Sequence, residues 1–265
     1  LTNIPDIAYV DYDMQIKFTP KGQPIALMRP DRFMIDDVKA SNGRAYLSTT
    51  RGCPNNCFFC SRRNFFGHGK IELPVDEVIR DIKFLNDKGF RILLVTDEDF
   101  LVGDLQRAIK IAELILEMKH TGQLDRDLKF MSSVSVSSIY CGNSSDTENA
   151  HRILALAKIQ EAGFFSFFMG IESGSQSQLK RLGKAHRAEE AEVVYNICKQ
   201  RGIRVICGFI MFDPLMTVKE ILENIAFLRR TGLIYDISYP FHQLRVHPGA
   251  EIKEILESRG LLTGD

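Results

Sequence analysis

The chain has no apolar run approaching the roughly 18 residues needed to span a bilayer, so no membrane crossing is expected. It also has no net charge, because 34 Lys and Arg are balanced by 34 Asp and Glu. Without a long-range field, neither nucleic acid nor an anionic membrane is an expected partner. The opening Leu1-Thr2-Asn3-Ile4-Pro5-Asp6 has neither the basic start nor the apolar stretch of a signal peptide. The lack of an initiator Met gives the chain the look of a piece of something longer. Repeats of fixed period and low-complexity tracts are missing too. Cysteine is scarce, six in 265 residues, which is too sparse for a disulfide scaffold. Three of the six nevertheless crowd into positions 53–60, which points to metal chemistry in a reducing cytosol and hence a cytoplasmic protein.

What is present is an ordinary globular composition, 45% apolar and 26% charged, long enough for one barrel or two small domains. Residues 1–40 are punctuated by Pro5, Pro20, Gly22, Pro24 and Pro30. They read as an irregular approach segment with short strands near Ile7–Val10 and Met14–Phe18. From Gly43 onward, β-branched and aromatic runs alternate with amphipathic stretches. The predicted strands are 44–50, 91–96, 129–136, 163–171, 204–212 and 236–244. Helical patterns fall at 74–87, 104–119, 149–162, 187–201, 217–231 and 251–259. The fifth is clearest: Val218, Ile221, Leu222, Ile225 and Leu228 share a face, Thr217 and Glu220 form a capping box, and Gly232 stands at the end. Six strand–helix units with near-continuous apolar strands imply an α/β fold on a parallel sheet. The expected form is a partial (β/α)6 TIM-like barrel, partly open, over 41–265, with an open doubly wound sheet as the alternative. Either way the chemistry belongs at the C-terminal ends of the strands.

The segment after the first predicted strand runs Thr49-Thr50-Arg51-Gly52-Cys53-Pro54-Asn55-Asn56-Cys57-Phe58-Phe59-Cys60. Gly52 and Pro54-Asn55-Asn56 allow the loop to wrap tightly, so three thiolates can converge on one inorganic centre. A structural zinc site takes four ligands, and an electron-transfer cluster also takes four cysteines. Three cysteines around a four-iron cluster leave one iron open, and an open iron is a chemical site. The competing interpretation is a zinc site completed from afar by Cys141, Cys198 or Cys207. Cys198 falls in a helical pattern and Cys207 in a strand, where free cysteine behaves as a small buried hydrophobe.

The Cys-x-x-x-Cys-x-x-Cys run, with Phe59 before the last cysteine, resembles the signature of the radical S-adenosylmethionine (SAM) superfamily. The resemblance spans roughly residues 41–250. It implies a 4Fe–4S cluster on Cys53, Cys57 and Cys60, with SAM chelating the open iron and cleaved reductively to methionine and a 5′-deoxyadenosyl radical. It further implies roles for segments that follow in the expected order. Phe59 would neighbour the adenine. Asp97 and Glu98, ending the second strand, would meet the SAM ammonium, and Glu172 with Ser173 the ribose hydroxyls. Lys184 would meet the SAM carboxylate, while Gly208 and Val246 belong to adenine-contacting stretches. Taken singly, these residues also fit solvated loops, surface charges or strand packing.

The approach segment, with Ile4-Pro5-Asp6-Ile7-Ala8-Tyr9 and Pro30-Asp31-Arg32, is similar to the linker after the cobalamin-binding domain of cobalamin-dependent radical SAM proteins. The stretch Gly208–Pro214 with Thr217, Glu220 and Asn224–Leu228 is similar to the same subgroup. That resemblance implies cobalamin held largely by a domain preceding residues 1–40, with methyl transfer or ring rearrangement as the outcome. A cobalamin-independent enzyme such as a methylthiotransferase is the alternative. The implied partners are a small-molecule or natural-product-like substrate and an electron donor such as flavodoxin or ferredoxin. His68, His242 and His247 are weaker candidates near the expected site. Alternate members of Ser132, Ser133, Ser135, Ser137 and Ser138 are expected to face the barrel interior. No nucleophile–base constellation appears, so the protein is expected to bind and orient while a cofactor carries the chemistry.

Overall fold

The computed structural model describes residues 8–10, 13–20, 27–62, 69–237 and 242–262. Five parallel strands form its centre: β1 (Ala45–Leu47), β2 (Ile92–Val95), β3 (Lys129–Ser133), β4 (Phe164–Glu172) and β5 (Arg204–Phe209), adjacent in chain order. Each crossover carries a helix: α1 (Val75–Asp87), α2 (Leu105–His120), α3 (Asp146–Glu161) and α4 (Ala188–Gln200), with α5 (Val218–Thr231) after β5. The sheet is open, so the partial barrel takes the place of a closed one. Two-residue alternation along β4 sorts its side chains. Phe167, Met169 and Ile171 are buried, while Phe168, Gly170 and Glu172 face a cavity. Phe164 stacks on Phe100 and Phe130 with centroids 4.8 Å apart in both cases, joining three successive units in one core.

The middle of the predicted sixth strand, 238–241 of 236–244, lies outside the described residues, and Leu233–Tyr235 before it forms a 3₁₀ turn. Among the described residues, the sheet continues there through a parallel bridge, Phe212 with Gln243, where Met211 N–H donates to the His242 carbonyl at 2.9 Å. The predicted strands 44–50 and 129–136 are also cut short. The first breaks after Leu47, and Thr50–Arg51 instead pairs antiparallel with Ile71–Glu72. The other ends at Ser133, after which Ser135 caps the helical turn Val136–Ile139. The approach segment contains the antiparallel pair Ala8–Val10 and Ile16–Phe18, close to the expected positions.

Helix α5 starts where expected, with Thr217 and Glu220 capping each other reciprocally and Gly232 left-handed at φ 77°. Glu220 does more than cap: Arg181 donates to both its oxygens, at 2.9 and 3.1 Å, and Ser177 Oγ donates at 2.6 Å. Burial opposes its charge, but these bonds hold the carboxyl down to about 2. A depressed carboxyl stabilises the fold above its unfolded pKa and loses that contribution as pH falls toward its folded value. From pH 6 to pH 3 the wild type is therefore expected to lose about 2 kcal/mol more than Glu220→Gln. Urea titrations of both proteins at the two pH values check this, and equal losses would refute it.

Candidate active site

The cysteine loop leaves the sheet at β1, and its base is closed by the Thr50–Arg51/Ile71–Glu72 ribbon. Gly52 is left-handed at φ 92°, turning the chain immediately before Cys53. Two backbone bonds clamp the middle of the loop. Phe58 N–H donates to the Leu182 carbonyl at 3.0 Å, and Ile252 N–H donates to the Phe58 carbonyl at 2.9 Å. Gly183 lies so close beneath that a Cβ there would sit 2.7 Å from the Asn56 carbonyl oxygen. Phe58, Phe59, Leu215, Leu244 and Val246 pack with Ala250 and with Ile252 and Leu256 of the helix Glu251–Ser258 that follows it, forming a separate apolar cluster. The loop is thereby wedged between the β4 exit and the end of the chain.

Cys53, Cys57, Phe59 and Cys60 all line one cavity of about 270 Å³. Its other walls come from the C-terminal ends of β2, β3 and β4, among them Glu98, Asp99, Ser133, Ser135, Phe168 and Glu172, with Lys184 beside them. Burial pushes the Cys53 and Cys57 thiols up, and Lys184 works in the opposite direction on Cys57. Glu172 is a strained residue: φ is 66°, in the left-handed region that a side chain disfavours, at an irregularity in the β4–β5 register. Its carbonyl accepts from Ile210 N–H at 2.7 Å, and its carboxylate lies 3.6 Å from Lys184 Nζ. Burial raises the Glu172 carboxyl, and Lys184 offsets part of that rise.

The adjacent carboxylates divide their work. Glu98 lines the cavity, accepting from Gly52 N–H at 2.9 Å and pairing with Arg62. Asp99, fully buried and pushed up by that burial, accepts from Ser135 N–H at 3.0 Å, Ser138 Oγ at 2.7 Å and Leu101 N–H at 3.0 Å. Asp97 is placed differently. It is buried away from the cavity, accepting from Thr49 N–H at 2.7 Å, Thr50 N–H at 3.0 Å and the Thr49 hydroxyl. Its carboxylate is spent on turning the chain from β1 into the cysteine loop.

Three further positions act at one remove from the cavity. Ser173 is buried, its one hydroxyl proton within hydrogen-bond reach of both Gln178 Oε1 at 2.7 Å and Asn224 Oδ1 at 2.8 Å. Gly208 leaves room for the Phe168 ring, since a Cβ there would approach Phe168 Cζ to 2.8 Å. Val246 packs in the apolar cluster behind Phe59. Ser133 and Ser135 reach the cavity, but Val134 between them does too, because the strand has ended at Ser133 and strand alternation no longer sorts these side chains; Ser132 is buried. His68 lies outside the described residues. His242 and His247 do not line the cavity among the described residues. Asp99, Phe168 and Gly170 were not predicted as site residues. A run of three acids carries no period that tells which one turns inward.

Cys198 and Cys207 are buried in α4 and β5, with the Cys198 thiol pushed up to about 12 by burial. Neither they nor Cys141 line the cavity. Among the described residues no three His, Cys, Asp or Glu side chains are gathered closely enough for a single metal ion. Nor, among the described residues, is any helix long and apolar enough to cross a membrane.

Comparison with known proteins agrees with this geometry. Residues 47–228 match the family model of the Radical SAM superfamily. The chain is 29% identical to a 4′-phospho-dehydrooxetanocin synthase of Priestia megaterium, across 88% of this chain and 32% of that protein. It is 26% identical to a putative methylthiotransferase of Methanocaldococcus jannaschii, across 84% and 47%. Its fold superposes on the cobalamin-dependent SAM radical enzyme OxsB, solved with aqua-cobalamin and SAM bound, with a TM-score of 0.84 and 21% identity. That match covers 98% of this chain and 41% of OxsB. The chain thus spans between a third and a half of the length of these relatives.

Proposed function

The chain belongs to the radical SAM superfamily, and on that premise we propose that Cys53, Cys57 and Cys60 hold a 4Fe–4S cluster with one iron left to SAM. The observation that carries this is the meeting of three thiols and the exits of three strands at one cavity. The donor set fits the group. Three soft ligands face the same space, and each would meet a different iron, so they need not converge as tightly as around one ion. Such a cluster supplies the electron that cleaves SAM to methionine and a 5′-deoxyadenosyl radical.

The chain's own residues bind and orient. Lys184 would receive the SAM carboxylate and Glu172 the ribose hydroxyls, so their mutual pairing at 3.6 Å would be exchanged for two cofactor contacts. Glu98 would meet the SAM ammonium from its seat on Gly52 N–H, and Phe59 would flank the adenine. Phe168, a half-exposed wall of the cavity, would be covered once the cofactors and substrate are in place, and water excluded in that way protects a reactive carbon species from side reactions. Gly170→Ala tests the Glu172 assignment, since its Cβ would fall 2.3 Å from Glu172 Oε1 and displace the carboxylate. We expect SAM affinity to fall about tenfold or more with iron content unchanged. Equilibrium dialysis with labelled SAM measures it, and wild-type affinity would refute the assignment.

For the whole protein we propose cobalamin-dependent methyl transfer or ring rearrangement on a small-molecule substrate, with a flavodoxin or ferredoxin as reductant. Its support is the likeness to the 4′-phospho-dehydrooxetanocin synthase and to the fold of a cobalamin-dependent enzyme. The methylthiotransferase relative favours the alternative without cobalamin. Visible absorption of anaerobically purified full-length protein decides between them. A stoichiometric corrinoid spectrum is expected, and its absence after supply of hydroxocobalamin would exclude the cobalamin reading.

A further inference from the structure

Resting on the SAM-binding reading of Glu172 and Lys184, we propose that Gln178 is a positioning residue that grips both the residue after Glu172 and the neighbouring segment bonded to the Glu172 carbonyl, and so sets where its carboxylate stands. Gln178 lies in the short helix Gln176–Arg181, is fully buried, and never reaches the cavity. Its amide nevertheless uses all of its hydrogen-bonding capacity. Its Oε1 accepts from Ser173 Oγ at 2.7 Å and from Asn224 Nδ2 at 2.9 Å. Its Nε2 donates to the Ile210 carbonyl at 3.0 Å and to Asp213 Oδ2 at 3.0 Å.

Two of those partners bracket Glu172. Ser173 is the next residue in the chain, and Ile210 supplies the N–H that holds the Glu172 carbonyl at 2.7 Å. A left-handed glutamate persists only where its surroundings over-determine it, and one buried amide here supplies that constraint from two directions. The same helix leads into the turn that positions the other half of the pair. Lys184 N–H donates to the Leu179 carbonyl at 3.0 Å, and the Leu182 carbonyl accepts from Phe58 of the cysteine loop at 3.0 Å. Arg181, bonded to Asp213 at 2.9 Å and to Glu220 at 2.9 Å, fixes the helix against the β5 exit and α5. Gln178 thus links the cysteine loop, Lys184 and Glu172 without touching any ligand.

A polar cluster serving stability alone would make its effects on binding independent of Glu172. A positioning residue makes them conditional on it. The test is a double-mutant cycle read by equilibrium dialysis of labelled SAM against the anaerobically reconstituted protein, with iron content and melting temperature recorded for each variant. Gln178→Met, which keeps the shape and loses all four bonds, is expected to weaken SAM binding about tenfold at wild-type iron content. Glu172→Gly is expected to weaken it as well, and the double variant to bind no worse than Glu172→Gly alone. Wild-type affinity in Gln178→Met, or losses that multiply in the double variant, would overturn the inference. If Gln178→Met does not fold, Gln178→Glu takes its place. With a carboxylate facing Asp213, that variant is expected to bind SAM poorly at pH 8 and better at pH 6, as protonation restores a donor, beyond any pH change seen in the wild type; affinity that tracks the wild type across pH would count against the inference equally. A cluster-loaded wild type that binds no SAM would overturn the reading of the site itself, a result distinct from either failure of Gln178.

Discussion

Cys57→Ala is expected to bring reductive formation of 5′-deoxyadenosine to background while the protein stays folded. Cys57 stands between Cys53 and Cys60 in sequence, and its electrostatic neighbours are Lys184, Glu172 and the other two thiols. Alanine removes one of the three proposed ligands. Two thiolates cannot hold a four-iron cluster in a fixed orientation, so iron and sulfide should fall together with activity. Folding should survive, because the loop is also held by the Phe58 bonds to Leu182 and Ile252 and by its apolar cluster. Cys198→Ala is the matched control: a buried helical thiol whose loss should cost about 1 kcal/mol and leave cleavage intact. Chromatographic quantitation of 5′-deoxyadenosine under dithionite, beside iron and sulfide assays, reads both variants. Wild-type cleavage by Cys57→Ala would remove the ligand assignment, as would stoichiometric zinc without iron in the parent protein.

Asp97→Ala should be nearly as damaging, for a different reason. The sequence order places Asp97 at the SAM ammonium, but the folded chain encloses it beneath the cysteine loop, where it accepts two backbone N–H groups and a hydroxyl from Thr49 and Thr50. Both threonines are fully buried, so alanine leaves donors with no water to turn to. Each stranded donor costs about 1–3 kcal/mol, and the variant should lose about 3–5 kcal/mol of stability. Asp97→Asn should fare little better, because an amide offers one acceptor where two oxygens are in use. Cluster content should drop in both variants, since the turn that delivers Gly52 and Cys53 to the cavity is lost. Denaturant titration and iron analysis check this. Normal stability and iron content with weakened SAM binding alone would return Asp97 to the cofactor.

The contrast between Asp97 and Asp99 shows how far a linear reading reaches. Thr96-Asp97-Glu98-Asp99-Phe100 announces that acids follow the second strand. Which acid faces the cavity depends on where Thr49, Thr50 and Ser138 lie in space, each some 40 or more residues away in the chain. Ser173 shows the same dependence on distant segments. It adjoins Glu172, yet the left-handed backbone at Glu172 turns the next side chain into the buried amides of Gln178 and Asn224.

The succession of parallel strands and covering helices was decided locally, by apolar periodicity, capping boxes and glycine stops, and so could be read directly. The cysteine spacing could be read too, because three thiols within eight residues have little freedom to part. Only tertiary structure decided that Phe212 bridges to Gln243 at the sheet's edge and that Glu172 and Lys184 meet. Those outcomes rest on contacts between segments far apart in the chain. Their free energy comes from burial and from hydrogen bonds that exist only once the whole core has closed, which no local pattern encodes.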